Sequence, residues 1–215
     1  MKINQNTSKF WGNKIFEQFT TIIKSPIYKH KLKLVFNEIK NGKGNILDVG
    51  VGYGFIEDLI VKNNLNFNMS GLDISKQIII NANKKYRGKF IVGNITKIKF
   101  IDNQFDYVLA LDILEHLSSE ELNKGLGEIY RIMKSNGKLI ISVPLNENDH
   151  DSKQNHHIQK FNLEKIIKTL KKSNFLVTKK YELISYKKYY FLKNVINRIV
   201  KLSKPNLLIL ICKKE

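Results

Sequence analysis

Two rhythms of apolar residues alternate along this chain. Short runs rich in Ile, Leu, Val and Phe have the length and composition of buried strands. They are Ile46 to Val49, "FNMSGLDI", "KFIVGNI", "FDYVLALD", "KLIISVP", "FLVTKKYELIS" and "NLLILICKK". Between them lie "FIEDLIVKNN", "SKQIIINANKKY", "SEELNKGLGEIYRIMKSNG", "NLEKIIKTLKKSN" and "YYFLKNVINRIVKL", whose apolar positions return at helical spacing. Ser75 stands at an N-cap, Gly137 reads as a helix stop and Pro144 as a strand end. Strands separated by helices predict a mostly parallel sheet covered on both faces. The expected fold is one α/β domain of about seven strands, whose short terminal strand is free to insert antiparallel. Two basic amphipathic segments, "FWGNKIFEQFTTII" and "YKHKLKLVFNEIK", precede the first strand. Residues 1–40 are therefore read as a helical lid, carrying Phe10, Trp11, Phe16 and Phe19, ahead of a domain over 41–215.

Composition changes this picture little. With 215 residues, there is enough chain for one full core. The start, "MKINQNTSKF", lacks an apolar leader, no run approaches a membrane span of about 18 residues, and Cys212 is the sole cysteine. These features predict a cytoplasmic protein with Cys212 in a core strand. The net charge of +18 is almost all lysine, spread along the chain, with only Arg87, Arg131 and Arg198 able to make bidentate contacts. Biased composition and solvated faces account for it better than a nucleic-acid surface does.

Candidate chemistry begins at "ILDVGVGYG", Ile46 to Gly54, where an acid precedes three alternating glycines. Strand, glycine turn and helix form the first unit of a doubly wound sheet, whose ligand lies beyond the strand ends. The spacing Gly50, Gly52, Gly54 differs from the dinucleotide fingerprint, and Asp48 two residues ahead of it would repel a pyrophosphate. A ligand bearing an ammonium and a sulfonium accommodates that carboxylate, which favours S-adenosylmethionine over NAD. Asp73, ending the next strand about 20 residues on, sits where an acid binds ribose hydroxyls. Ile74 offers an apolar face to an adenine, and Asn94 with Ile95 offers a carbonyl acceptor and a backbone donor to its edge.

In their order, "ILDVGVGYG", "GLDIS", "GNI", "FDYVLALDILEHL", "EIYRIMKSNGKLIISVP" and "HHIQKFNLEKIIKTLKKSNF" resemble the class I S-adenosylmethionine-dependent methyltransferases, over residues 40 to 185. The resemblance is greatest to the group with an "EHL" segment after the fourth strand. It implies a Rossmann-like sheet of order 3-2-1-4-5-7-6 with strand 7 antiparallel. It also implies that Asp48, Gly50 and Gly52 border the methionine moiety and that Asp73 holds the ribose. Ile74, Asn94 and Ile95 would surround the adenine, and Leu111 and Asp112 would flank the sulfonium. Asn94 departs from the Asp common in relatives.

Methyl transfer needs donor and acceptor held in line, and a base helps where the acceptor must lose a proton. Candidate bases are His116, after the fourth strand, and His156 and His157, in the polar loop "NDHDSKQNHHIQKF" with His150. Asp112, Glu115 and His116 also have a D-x-x-E-H spacing, similar to the E-x-x-E-H segment with which some ubiquinone-pathway and small-RNA methyltransferases bind a divalent ion. As a helix-entry segment the same residues need no metal, and none is assigned. The leading reading is transfer of a methyl group to an oxygen or nitrogen of a small molecule, such as a metabolite, lipid precursor or sugar. A nucleic-acid methyltransferase is the second, though an Asn/Asp-Pro-Pro-aromatic turn is absent. The third is a non-catalytic adenosyl-ligand-binding protein. The lysine- and aromatic-rich "KKYYFLKNVINRIVKLSK" leaves peripheral membrane contact open.

Overall fold

The computed structural model describes residues 24–185, 190–200 and 203–215. Phe10, Trp11, Phe16 and Phe19, expected in a lid, lie outside them. Seven strands form one sheet: β1 (Gly44–Val49), β2 (Phe67–Asp73), β3 (Lys89–Val92), β4 (Phe105–Leu111), β5 (Met133–Pro144), β6 (Phe175–Leu183) and β7 (Leu207–Lys214). The helices are α1 (Pro26–Ile39), α2 (Phe55–Lys62), α3 (Lys76–Lys85), α4 (Ser119–Ile132), α5 (Asp149–Asn155), α6 (Leu163–Lys172) and α7 (Tyr190–Val200), with a 3₁₀ turn at Leu114–His116. The sheet order is β3-β2-β1-β4-β5-β7-β6. β1 pairs parallel with β2 and β4, while β7 runs antiparallel between β5 and β6. This is the fold the resemblance implies.

Alternation within the strands explains the two covered faces. Leu47, Val49, Val108, Ala110, Leu139, Ile141, Leu208 and Leu210 point to one core, filled by Leu126 and Ile129 of α4 and by Ile166 and Leu170 of α6. Their neighbours Ile46, Leu109, Ile140, Ile209 and Ile211 point to the other, filled by Val35 and Ile39 of α1 and by Ile56 and Ile60 of α2. Cys212 is buried in β7, and burial pushes its thiol up to about 12.

Three local readings are corrected. The helix expected to run to Gly137 ends at Ile132, because the carbonyls of Arg131 and Ile132 accept from the amides of Asn103 and Gln104 instead of continuing the turn. Met133 already pairs with Phe105, and the register then slips before Tyr107 meets Lys138. Gly137 lies in that irregularity. A Cβ there would come within 2.9 Å of the Lys134 carbonyl. Ser75 occupies the N-cap of α3, but its buried hydroxyl makes no capping bond; Asp73 accepts from the Ser75 amide at 2.8 Å. The polar histidine loop contains α5, started by Asn148, whose side chain accepts from the Asp151 amide at 2.8 Å.

Candidate active site

The sheet order reverses between β1 and β4, and there the chain leaves a cavity of about 560 Å³ beyond the strand ends. Asp48, Gly50, Gly52, Asp73, Ile74, Asn94, Ile95, Leu111, Asp112, His116 and His157 all line it. Cavities of this size suit a cofactor-sized ligand.

The glycine turn is built by close approach. Gly50 has φ +88°, and a Cβ on it would sit 2.2 Å from Ile113 Cδ1. The Gly52 amide donates to Asp73 Oδ2 at 3.1 Å, while the Ser75 amide donates to Oδ1. Asp73 is thus fixed by two backbone amides and retains one acceptor direction on each oxygen, enough for a pair of ribose hydroxyls. Asn94 differs from expectation. Its Oδ1 already accepts from the amide and the hydroxyl of Thr96, at 2.9 and 3.0 Å, so that oxygen has no lone pair left for an adenine amine.

Behind the turn stand three carboxylates. Burial pushes Asp48 well above the usual carboxylate range, and the neighbouring Glu57 and Asp73 push it further. Glu57, on α2, is raised to about 7 chiefly by burial, and its Oε2 has no hydrogen-bond partner. Burial also raises Asp73, against its backbone hydrogen bonds. Such a wall carries less charge than it has carboxylates, and a cation beside it restores their ionisation.

Asp112 behaves differently. Burial would raise it, but Lys31 and a hydrogen bond from Ser142 Oγ (2.6 Å) outweigh that and hold it below its ordinary value. The Lys31 ammonium forms an ion pair with Asp112 and lies 4.2 Å from the centre of the Tyr28 ring. Lys31 and Tyr28 come from α1, and both line the cavity. The sequence analysis missed both. Their signal is spacing: Lys31, Val35 and Ile39 form one i, i+4, i+8 stripe, so Lys31 shares the buried face of α1.

The histidines separate. His157 Nδ1 lies 2.6 Å from Glu147 Oε2. A carboxylate only accepts, so Nδ1 carries the proton and the neutral ring keeps its lone pair on Nε2. His116 Nδ1 lies 3.2 Å from the His156 carbonyl, and the His116 and His157 rings meet edge to face, 4.8 Å apart. His156 does not line the cavity, and its expected role as a base is withdrawn. It ends α5 at φ +59°, contributing its carbonyl to the site. Glu115 is fully buried, raised well above its ordinary value by burial and then by Asp112, with Oε2 unpartnered. Ligand atoms of Glu115, His116 and His157 lie within 4.8 Å of one another, a mixed O/N set of the kind that takes divalent ions. Asp112, first in the D-x-x-E-H spacing, is engaged by Lys31 and Ser142 and stands outside this set.

Residues 47–141 match a family model described as "Methyltransferase domain". The match covers less than half of the chain, and over it the chain is similar to the class I S-adenosylmethionine-dependent methyltransferases. Among curated relatives, the ubiquinone/menaquinone biosynthesis C-methyltransferase UbiE of Rickettsia typhi is 35% identical over 116 residues, 48% of this chain and 45% of that protein. Phosphoethanolamine N-methyltransferase 2 of Caenorhabditis elegans is 28% identical over 124 residues, 54% of this chain and 28% of that one. The chain spans less than half the length of either. Among solved structures, a SAM-dependent methyltransferase from Archaeoglobus fulgidus superposes with a TM-score of 0.70 at 20% identity, covering 94% of this chain and 99% of that one.

Proposed function

We propose that this protein binds S-adenosylmethionine in the cavity beyond β1, β2 and β4 and transfers its methyl group to an oxygen or nitrogen of a small molecule. The observation that carries the reading is the meeting of Asp48, Asp73 and the glycine turn at one wall, with Asp48 a carboxylate where a dinucleotide would bring its pyrophosphate. The family relation supports the donor; the relatives' names divide between C- and N-methylation and leave the acceptor to this chain's own residues. The bound donor supplies a methyl carbon already activated by its sulfonium. Asp73 orients the ribose, the Asp48 wall complements positive charge, and α1 closes one side of the cavity through Tyr28 and Lys31. His157, aligned by Glu147, stands ready to take an acceptor proton. Glu115, His116 and His157 are also the residues that would hold a divalent ion, which would polarise an acceptor oxygen.

Isotope-labelled methyl transfer from S-adenosylmethionine into small-molecule extracts tests the activity; incorporation confined to RNA refutes the small-molecule assignment. Asp73→Ala is expected to weaken donor binding by about 1.5–3 kcal/mol, the worth of hydrogen bonds to a charged group. Calorimetry giving unchanged affinity removes Asp73 from the site.

Donor affinity should also rise with pH. Asp48, which lines the cavity, is raised in the free protein, and a cation beside it favours the ionised form, so binding releases a proton. Linkage then makes binding tighter as pH increases through the raised value, by at most about tenfold per pH unit for each proton released. Titration calorimetry in two buffers of different ionisation enthalpy measures that release. Identical heats in both would refute it.

A further inference from the structure

Helix α7 packs through the buried Tyr190 and two asparagines and leaves most of its aliphatic residues exposed. Asn194 is buried, accepting from the Ile184 amide at 3.0 Å and donating to the Ile184 and Tyr190 carbonyls at 2.9 and 3.0 Å. Asn197 clasps Ser203, accepting from its amide at 2.7 Å and donating to its carbonyl at 3.0 Å. At 100° per residue, Leu192, Val195, Ile196 and Ile199 fall on the opposite side of the helix, while Phe191 lies at its edge, its ring 5.5 Å from that of His30. All five are exposed, Ile199 at 80%. Positions 193 and 198, a Lys and an Arg, fall on the two flanks of this apolar stripe.

We infer that α7 is a docking helix for an anionic lipid surface, lying in the membrane interface with its apolar stripe inserted. The choice of occupant rests on charge. From Leu183 to Lys214 the sequence has no Asp or Glu, and Lys187, Lys188, Lys193, Arg198, Lys201 and Lys204 stand within and around this helix. Apolar residues in the acyl boundary with basic residues at headgroup level are the two parts of interfacial binding. A protein partner would need complementary acidic groups, and a second copy of this face would bring like charges together. Among the described residues no helix is long and apolar enough to cross a membrane, so contact through α7 is peripheral.

The helix also sits beside the cavity. Ser185 before it and Asn206 and Leu207 after it line that cavity, and the Tyr190 hydroxyl is 3.2 Å from His30 Nδ1 on α1. Docking therefore sets the cavity mouth toward the lipid. That the methyl acceptor is itself a lipid-soluble molecule follows only if the methyltransferase reading holds.

Co-sedimentation of the full chain with vesicles of phosphatidylcholine alone, or with about one third phosphatidylglycerol, tests the docking. Binding is expected to the anionic vesicles, at least about tenfold stronger than to neutral ones and weakened by salt. The double substitution Leu192→Asp and Ile199→Asp should lower it about tenfold or more, while Val61→Asp, exposed on α2, leaves it unchanged. S-adenosylmethionine affinity, measured on the same proteins, should stay constant and separates loss of docking from loss of fold or of the donor site. No binding of the unsubstituted chain to anionic vesicles overturns the inference. So does a concentration-dependent dimer dissolved by the double substitution, which would assign the face to a second copy.

Discussion

Asp112→Ala is expected to lower the unfolding free energy by about 3–5 kcal/mol, the cost of leaving a buried charge without its partner. The asymmetry of the pair decides which partner matters more. The Lys31 side chain is 3% exposed, whereas 39% of the Asp112 side chain remains open to the cavity. Removing Lys31 leaves a carboxylate that cavity water can solvate, so Lys31→Met should cost less, about 1–2 kcal/mol. Removing Asp112 leaves an ammonium with only the Tyr28 ring and weaker neighbouring acids. Asp112 also has φ +55°, a conformation Ala tolerates poorly. Asp112→Asn keeps that backbone and isolates the charge. The double variant Lys31→Met, Asp112→Asn should recover most of the loss. Urea denaturation measures all four variants against the unsubstituted protein, and a loss under about 1 kcal/mol for Asp112→Ala would show that the pair is solvated and weak.

The stability of this pair has a pH signature. Asp112 lies below its ordinary value in the fold, so its contribution is full above the unfolded carboxylate range and fades as pH falls through the folded value. Glu57 acts in the opposite sense. Raised to about 7, it favours the fold while protonated and withdraws that contribution between the unfolded value and about 7.

What the sequence made legible was what periodicity and turn chemistry encode. Leu47 and Val49 against Ile46, or Leu139 and Ile141 against Ile140, alternate as strands buried on both faces must. Gly50 and Asp73 announced themselves by position. The misreadings have physical causes. The apolar spacing of α4 runs on through Met133, and only pairing with Phe105 turns the chain into β5. Helix α5 has no apolar stripe, so its Asn148 cap was the only signal. Lys31 sat among three other lysines of its segment and was hidden by its type, although its stripe with Val35 and Ile39 was visible. The pattern of α7 showed a two-faced helix but could not say that Asn194 faces inward, because amphipathicity has no sign until a neighbour is known.

The reading of His157 as the base makes the largest kinetic claim. Positioning of donor and acceptor supplies much of a methyl transfer, and a placed general base adds about 10²–10⁴ in rate where the acceptor must lose a proton. His157 has the geometry for it: Glu147 fixes Nδ1–H at 2.6 Å, and the ring lines the cavity. His157→Ala should therefore lower kcat by about 10²–10⁴ with saturating acceptor. Glu147→Gln should lower it less, since it alters the imidazole's partner and not the imidazole. His156→Ala should stay within about threefold, because its contribution is a main-chain carbonyl that alanine retains. A chelator separates base from metal. If it leaves the rate untouched while His157→Ala abolishes it, the histidine is acting as the base. If it reproduces the His157→Ala loss and added divalent ion restores activity, Glu115, His116 and His157 serve as ligands instead. An Ala variant that retains the full rate leaves catalysis to positioning alone.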